Sequence, residues 1–334
     1  MTEVTEVSPG LRPELWQGAV AWTPVGNGWQ PWRLLPSEEP YAYSTLLYEQ
    51  AKSPAGVRFA ADVTARQVEI SIDRNGEDPM GFDVLVDREL VARHMVDGTG
   101  GATVDLPDRP CRLEVWLPQA GLVQVRTVVL HGATAVAPVA QRVRWTTYGS
   151  SITRCRTAPG PTETWPALVS LRHDWDLTCI GLGGQCHLDY AAERTIAAVE
   201  TDVISLCLGI NIQGAGTFNE RTLPGRLSAF LRAVRAAHPD VPILVISPII
   251  SPAREETPNG VGLSLSAIRA MVTRVATDLQ RDGDDLIMLV NGLDVFGADD
   301  VGMLPDGLHP DAAGYRLMGE RLAPVLAETL ALRR

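Results

Sequence analysis

The sequence predicts an all-β sandwich followed by an α/β domain with a parallel sheet. Up to about residue 140, apolar and polar residues alternate with a period of two and turn residues recur at short intervals. From Arg142 onward, short apolar runs alternate with segments of helical length, which is typical of a parallel sheet covered by helices on both faces. We therefore expect a β-sandwich domain over residues 1–140 and an α/β domain over residues 141–334.

The first half shows the spacing of an antiparallel sandwich. Val68–Asp73 alternates cleanly and runs into Arg74-Asn75-Gly76, which predicts a hairpin turn. No convincing helical period precedes Gly160, and the small residues of Ala133–Ala140 predict a linker. Further strands are expected at Phe82–Val86, Thr103–Leu106, Cys111–Leu117 and Val123–Leu130.

Aromatic residues are concentrated at the start of the chain. We expect them in the sandwich core and in contacts between the domains, with a platform for stacking on a sugar or an aromatic ligand as the alternative. They are Trp16, Trp22, Trp29, Trp32, Tyr41, Tyr43 and Tyr48.

The second half predicts five strands and five helices in strict alternation, which make a doubly wound three-layer domain. The strands are expected at Val143–Thr147, Leu177–Ile180, Val203–Leu208, Ile243–Ile246 and Leu286–Val290. The helices are expected near Trp165–His173, Tyr190–Val199, Leu223–Ala237, Leu265–Gln280 and Ala312–Leu332. The long connection Ile249–Val261 is expected to form a lid or a substrate loop.

Composition narrows the classes of function. The net charge of −11 argues against a nucleic-acid partner, because phosphate binding needs a basic surface. Neither a signal peptide nor an apolar run of about 18 residues is evident, so we expect a cytoplasmic protein without a membrane partner. The five cysteines show no CxxC spacing, which predicts reduced thiols and no zinc site. No cofactor or metal is expected.

Four of the expected strand ends and helix starts carry residues suited to acyl transfer. Serine chemistry needs a base on the hydroxyl, an acid that orients the base, and donors for the oxyanion. In the second half, Ser151 follows the first expected strand, the glycine-rich turn 181–185 follows the second strand, and Asn211 follows the third. Asp306 and His309 lie three residues apart just before the last helix, close enough for the carboxylate to accept from the imidazole.

The four segments GSSIT, GLGGQ, GIN and DGLH, in this order, resemble the motifs of the SGNH (GDSL-type) hydrolases over roughly residues 142–334. The resemblance implies a flavodoxin-like five-stranded sheet and an acyl-enzyme mechanism. It implies Ser151 as the nucleophile, His309 as the base and Asp306 as its partner. The implied oxyanion hole comprises the main-chain N–H groups of Ser151 and Gly184 and the side-chain amide of Asn211.

The motif departs from the family pattern at one position. The usual Gly-Asp-Ser is Gly149-Ser150-Ser151 here, which marks a subgroup whose members often carry a β-sandwich, of jelly-roll type, ahead of the catalytic domain. The missing aspartate is not a member of the triad, so we expect a change in the turn and not in the chemistry.

Several alternatives remain open for individual residues. Ser150 is an alternative nucleophile and Gly183 an alternative oxyanion donor. Cys186 and His187 are an alternative thiol dyad, although adjacent side chains diverge, and His187 is a candidate substrate contact.

The function predicted from these observations is that of a serine esterase that hydrolyses a small ester or deacetylates an acylated sugar. The alternative within the same chemistry is an intracellular acyltransferase that moves an acyl group from coenzyme A to a natural-product or sugar hydroxyl. A catalytically inert ligand-binding protein is the alternative from another class, and the intact Ser151, Asp306 and His309 argue against it.

Overall fold

The computed structural model describes residues 4–76 and 80–333. The strands of its first half are β1 Val4–Glu6, β2 Trp16–Gln17, β3 Ala21–Val25, β4 Gly28–Trp32, β5 Arg58–Thr64, β6 Gln67–Asn75, β7 Met80–Val86, β8 Glu89–Val96, β9 Gly98–Asp105, β10 Cys111–Trp116, β11 Leu122–His131 and β12 Ala135–Pro138. Those of the second half are β13 Arg144–Gly149, β14 Asp176–Gly181, β15 Val203–Cys207, β16 Ile243–Ile246 and β17 Ile287–Val290.

The α-helices are α1 Thr45–Ala51, α2 Ser151–Arg154, α3 Trp165–His173, α4 Tyr190–Ala198, α5 Ile210–Ala215, α6 Leu223–Ala237, α7 Leu265–Arg281, α8 Gly292–Val295 and α9 Ala312–Leu330. Short 3₁₀ turns occupy Pro13–Leu15, Pro36–Tyr41, Pro161–Glu163, Pro252–Arg254 and Ala298–Met303.

The first half forms two antiparallel sheets packed around one core. One sheet has the order β3-β4-β11-β6-β9 with β1 beside β11, and the other has the order β12-β5-β10-β7-β8 with β2 beside β5. Inward-facing residues such as Val68, Ile70 and Ile72 on β6 alternate with exposed ones and bury one face of each strand. The predicted β-sandwich is therefore confirmed.

Two local expectations for this half are wrong. Arg74-Asn75-Gly76 does not join a hairpin of β6 and β7, because β6 pairs with β9 and β11 while β7 belongs to the other sheet. The predicted linker Ala133–Ala140 contains strand β12, whose residue Val136 pairs with Val63 of β5. Sequence periodicity does not reveal either pairing, since both are set by tertiary contacts.

The second half is a five-stranded parallel sheet in the order β14-β13-β15-β16-β17. Its strands are nearly continuous in apolar residues because both faces are covered. Helices α4, α6 and α7 pack on one face, for example through Ile196 and Phe230, and α3 and α9 pack on the other through Val169 and Met318. This flavodoxin-like three-layer arrangement confirms the predicted fold class.

The five long helices lie within two residues of their predicted bounds, and α3 and α6 match them at both ends. In the second half the sequence did not predict three helices of one or two turns, α2, α5 and α8. A four-residue helix contains too few residues to show a 3.6-residue period. Two of these short helices, α2 and α5, carry candidate site residues.

A segment of the first half packs on the parallel sheet. Trp32, Leu47 and Tyr48 join the core formed by β13–β15 and helices α4 and α6. Helix α1 and the 3₁₀ turn before it contradict the expectation that no helix precedes Gly160. The domain boundary at residues 140/141 stays a prediction: the antiparallel strands end at Pro138, yet residues 32–51 cover the second half.

The aromatic cluster is divided between cores and surface. Trp16, Trp32 and Tyr48 are buried, as the core interpretation predicts. Tyr41 and Tyr43 are exposed, so the core interpretation does not describe them.

Two buried arginines of the first half bind main-chain carbonyls of β14. Arg33 donates to the carbonyl oxygens of Cys179 at 3.0 Å and Gly181 at 2.7 Å. Arg58 donates to the carbonyl of Leu177 and to the carboxylate of Asp176. Both guanidinium groups are fully buried, and the first half thus holds the strand that leads into the glycine-rich turn.

Candidate active site

The central strand of the site, β13, lies between β14 and β15. The chain leaves β13 toward β14 on one side and reaches β15 on the other, so β13 marks the switch point where such sheets bind ligands. Ser151, Gly184 and Asn211 follow the carboxyl ends of these three neighbouring strands. The topology alone brings the three candidate residues to one edge of the sheet.

The turn from β13 into α2 requires glycine for space. A Cβ on Gly149 would stand 2.1 Å from Oγ1 of Thr153. The backbone of Gly149 does not adopt a positive φ, so glycine is required here by close packing and not by conformational freedom. Ser150 then begins the helix: its Oγ accepts the N–H of Ile152.

The three residues of the candidate triad are joined by a chain of two hydrogen bonds. Ser151 Oγ lies 2.8 Å from Nε2 of His309, and Nδ1 of His309 lies 2.6 Å from Oδ2 of Asp306. Ser151 and His309 are partly exposed, so a ligand can reach the hydroxyl. These bonds join a serine at the start of α2 to a loop 155 residues further along the chain and have the geometry of a serine–histidine–acid triad.

The loop that carries the pair is built on Asp306. Its Oδ1 accepts the main-chain N–H groups of Leu308 at 2.9 Å and His309 at 2.7 Å. Partial burial raises the pKa of Asp306, but hydrogen bonds from the His309 N–H, the His309 ring and the Leu308 N–H outweigh it and lower the pKa to about 2. The carboxylate is therefore charged over the whole neutral and mildly acidic range.

The candidate oxyanion donors follow the carboxyl ends of the neighbouring strands β13, β14 and β15. Ser151 is the first residue of α2, where the main-chain N–H has no partner within the helix. Oδ1 of Asn211 accepts the N–H of Cys186 at 3.0 Å, which leaves Nδ2 as the group that can donate to a ligand. Gly184 has φ +68° and open space around it, so its peptide is exposed at this edge.

The alternatives considered from the sequence have distinct surroundings. Ser150 is fully buried and caps α2, while the hydroxyl of Ser151 contacts the histidine. Burial raises the pKa of the Cys186 thiol well above its ordinary value, which does not suit a nucleophile. A Cβ on Gly183 would stand 2.6 Å from a guanidinium nitrogen of Arg154, so Gly183 lies against α2.

Several contacts of the glycine-rich turn were not expected. Gln185 and His187 both bond to the carbonyl oxygen of Gly184, and Ser44, from the first half, bonds to Gln185. His187 also bonds to Thr217. The sequence offers one partial signal, since Ser44 lies three residues before Leu47 in the pattern of a helix cap.

The connection expected to form a lid is tied down at both ends. Ser251 Oγ donates to the carbonyl of Gly307 in the His309 loop, and Glu255 forms an ion pair with Arg269 at 2.8 Å. Asn259 donates to the carbonyl of Gln213 on α5. The segment is thus bonded to the His309 loop near its start and to helix α5 near its end.

Further features bear on the class of site. All five cysteines are free and buried. Among the residues that the structure describes, no group of three or more His, Cys, Asp or Glu side chains is arranged to hold a metal ion. Within residues 4–76 and 80–333, none of the helices has the length and apolar character needed to cross a bilayer.

The GDSL-like lipase/acylhydrolase family matches residues 147–317 of the sequence, just over half of the chain. The chain belongs to this family. The match includes Ser151, Gly184, Asn211, Asp306 and His309, and it confirms the resemblance that the four motifs indicated and the enzyme class that it implied. None of the curated proteins matches this GDSL-like protein significantly.

Solved structures with the same two-part architecture cover this GDSL-like protein along its whole length. A salicylyl-acyltransferase from a tetracycline biosynthetic pathway is 24% identical with a TM-score of 0.89, covering 100% of this chain and 99% of that one. A family two carbohydrate esterase from Cellvibrio japonicus is 14% identical with a TM-score of 0.67, covering 100% and 99%. An acetyl xylan esterase from the rumen bacterium Butyrivibrio proteoclasticus is 12% identical with a TM-score of 0.65, covering 100% of both chains. These likenesses show a shared fold.

Proposed function

We propose that this GDSL-like protein is a serine esterase that acts on a small ester or an acylated sugar through an acyl-enzyme on Ser151. The observation that carries the proposal is the line from Ser151 Oγ to His309 Nε2 at 2.8 Å and from His309 Nδ1 to Asp306 Oδ2 at 2.6 Å. Family membership supports it independently. In this assignment Ser151 is the nucleophile, His309 the base and Asp306 its partner.

The acylation step follows from this geometry. Ser151 Oγ attacks the ester carbonyl carbon while Nε2 of His309 takes the hydroxyl proton, and the carbonyl oxygen becomes an anion. Donors for this anion are the N–H groups of Ser151 and Gly184 and Nδ2 of Asn211. When the carbon–oxygen bond to the alcohol breaks, the imidazolium returns its proton to the departing alkoxide oxygen. Ser151 then carries the acyl group.

Deacylation runs the same steps in reverse with water as the nucleophile. Nε2 of His309 takes a proton from water as the water oxygen attacks the acyl carbon, and the imidazolium then protonates Ser151 Oγ as it leaves. The carboxylate of Asp306 stabilises the imidazolium in both halves of the reaction. Its pKa of about 2 keeps it charged at any pH at which the histidine is neutral.

A second candidate function shares this acyl-enzyme. A hydroxyl of a natural product or sugar takes the place of water, and the acyl donor is a coenzyme A thioester. The observation that favours this alternative is the fold likeness along the whole chain to the salicylyl-acyltransferase, with a TM-score of 0.89. The two functions differ in the acyl donor, an ester or a coenzyme A thioester, and in the molecule that accepts the acyl group from Ser151.

We further propose a small-molecule substrate and a reducing compartment such as the cytoplasm. The five free, buried thiols support the second point, because secreted proteins tend to pair their cysteines. The net charge of −11 supports the first by disfavouring a nucleic acid as partner.

The test measures the rate of turnover of p-nitrophenyl esters of several acyl lengths and of coenzyme A thioesters, each with and without alcohol acceptors. The acyl product of each reaction is then identified. Hydrolysis predicts free acid whose yield is independent of the alcohol; acyl transfer predicts a new ester that grows with the alcohol concentration. Both predict that Ser151→Ala abolishes turnover. Full turnover of every active substrate by Ser151→Ala would overturn the proposal.

A further inference from the structure

Gln185 and His187 bond to the carbonyl oxygen of Gly184, and Ser44 and Thr217 bond in turn to these two side chains. We propose that all four are positioning residues of the oxyanion hole, which act by fixing the peptide that follows Gly184 and thereby the residue whose N–H faces the oxyanion. The inference rests on the proposed function, because it takes the N–H of Gly184 as an oxyanion donor. It assigns a role in the reaction to a residue of the first half, Ser44.

The inner pair of contacts converges on one atom. The carbonyl oxygen of Gly184 accepts Nε2 of Gln185 at 2.9 Å and pairs with Nε2 of His187 at 3.0 Å. A carbonyl oxygen has two lone pairs, so these two donors fill both. The peptide that follows Gly184 is therefore held from two directions.

The outer pair fixes the inner donors. Ser44 Oγ donates to Oε1 of Gln185 at 3.2 Å, which orients the amide with its NH₂ toward Gly184. Thr217 Oγ1 lies 2.8 Å from Nδ1 of His187. A hydroxyl donating to Nδ1 leaves the ring proton on Nε2, which is the tautomer that can donate to the Gly184 carbonyl.

Ser44 is held by a second hydrogen bond, and Thr217 lies next to the end of a helix of the site. Ser44 caps helix α1, since its Oγ also accepts the N–H of Leu47. Thr217 follows Gly216, the residue that ends α5, and α5 carries Asn211. The network thus connects α1, the glycine-rich turn and the helix of another oxyanion donor.

Gly184 needs such support because packing does not supply it. It adopts φ +68°, and a Cβ placed on it would meet no atom within 4 Å. Glycine in open space moves between conformations at little cost, and a hydrogen bond weakens steeply once its donor turns away from the acceptor. In the peptide that follows Gly184, the N–H of Gln185 donates to the carbonyl of Leu182 at 3.1 Å, and the next N–H, of Cys186, donates to Asn211 Oδ1 at 3.0 Å. The side-chain bonds to the Gly184 oxygen hold the other edge of that peptide and so limit rotation at Gly184.

This role predicts a loss in the transition state with little change in substrate binding. The oxygen that Gly184 would bind is anionic only in the tetrahedral intermediate, so a poorly held donor lowers kcat and leaves KM nearly unchanged. Losing one oxyanion donor costs roughly 10²- to 10³-fold in kcat, and loosening it costs part of that.

The experiment uses the full chain with a p-nitrophenyl ester as substrate and an alkyl boronic acid as probe. The boronic acid forms a tetrahedral anion on the serine and reports the oxyanion hole at equilibrium. Thr217→Val should lower kcat by about 3- to 10-fold, and Thr217→Ser should recover it because the hydroxyl returns. Thr99→Val is a matched control: it also removes an exposed threonine hydroxyl that donates to a side chain, here Asp73 in the sandwich.

The inner pair is tested by Gln185→Met, which keeps the side-chain length, loses the donor and adds no charge beside the oxyanion, combined with His187→Leu. The double variant should lose about 10²-fold in kcat and a similar factor in boronic acid affinity, with KM within about threefold of wild type. Unfolding by urea checks that each variant is folded at the assay temperature.

Two results would overturn the inference. One is wild-type kcat and boronic acid affinity in the double variant, while Asn211→Ala loses both. The other is a lowered kcat with unchanged boronic acid affinity, since the loss would then lie outside the oxyanion hole. Failure of the proposed function is distinct, because Ser151→Ala would then retain turnover.

Discussion

The two oxygens of Asp306 serve different purposes, and one substitution separates them. Oδ1 accepts the main-chain N–H groups of Leu308 and His309 and so shapes the loop. Oδ2 accepts from Nδ1 of His309 at 2.6 Å and so orients the ring. An asparagine at this position retains an acceptor for the first task and loses the acceptor for the second.

Asp306→Asn should leave the protein folded and nearly inactive. With its oxygen on the two N–H groups, the asparagine presents NH₂ to Nδ1, and Nδ1 must then accept. The ring proton moves to Nε2, which can no longer take the proton of Ser151. A wrong tautomer of this kind costs about 10⁴-fold in kcat in a serine triad. Asp306→Ala also loses the hydrogen bonds that shape the loop, and its free energy of unfolding should be about 1–2 kcal/mol lower than that of wild type.

The assay pairs kcat on a p-nitrophenyl ester with urea unfolding of wild type, Asp306→Asn and Asp306→Ala. The expected result is a similar loss of kcat in both variants and a loss of stability in the alanine variant alone. A kcat for Asp306→Asn within about tenfold of wild type, in a protein of unchanged stability, would refute the assignment of Asp306 as the partner of His309.

Three further predictions follow from the site. Asn211→Ala should lower kcat by about 10²- to 10³-fold with a much smaller change in KM; a lowered melting temperature with unchanged kcat per titrated site would instead make Asn211 a turn residue. Gly181→Ala should destabilise the protein by about 1–3 kcal/mol in urea, because its Cβ would stand 2.6 Å from the main-chain N of Arg154; equal unfolding midpoints would contradict this packing. Hydrogen bonds from the main chain and from the His309 ring lower the pKa of the Asp306 carboxyl to about 2. Because this pKa lies below the ordinary aspartate value, the charged carboxylate stabilises the fold at neutral pH, and this stabilisation is lost as the pH falls toward 2. Acid unfolding should therefore be steeper in wild type than in Asp306→Asn. Identical acid transitions would contradict the lowered pKa.

Much of the second half was predictable because its signals are local. Helices such as α3 and α6 are long enough to show their period, and apolar runs such as Ile243–Ile246 are typical of buried parallel strands. Three motifs follow the ends of β13, β14 and β15, and the fourth precedes α9. Together they allowed the family and the candidate triad to be predicted from the sequence. Each of those residues lies at a strand end or helix start that the chain pattern itself defines.

What the sequence did not reveal depends on contacts between distant residues. The pairing of β6 with β9, the strand hidden in Ala133–Ala140 and the packing of residues 32–51 on the second half are all set by tertiary structure. The same holds at the site. Ser44 and Gln185 are 141 residues apart, and no periodicity relates them.

The sequence also did not reveal why position 149 is a glycine. Gly149 has no positive φ; it is required because the side chain of Thr153 folds back against it. A one-turn helix such as α2 gives no period from which that contact could be inferred.

The central claim, that Ser151 is the nucleophile of a serine enzyme, is tested most directly by mapping the adduct of a fluorophosphonate probe by mass spectrometry. Ser151 Oγ lies 2.8 Å from His309 Nε2, whereas Ser150 is buried and caps a helix. The account predicts one adduct per chain on Ser151, none in Ser151→Ala, and labelling largely retained in Ser150→Ala. An adduct on Ser150, or undiminished labelling of Ser151→Ala, would contradict it.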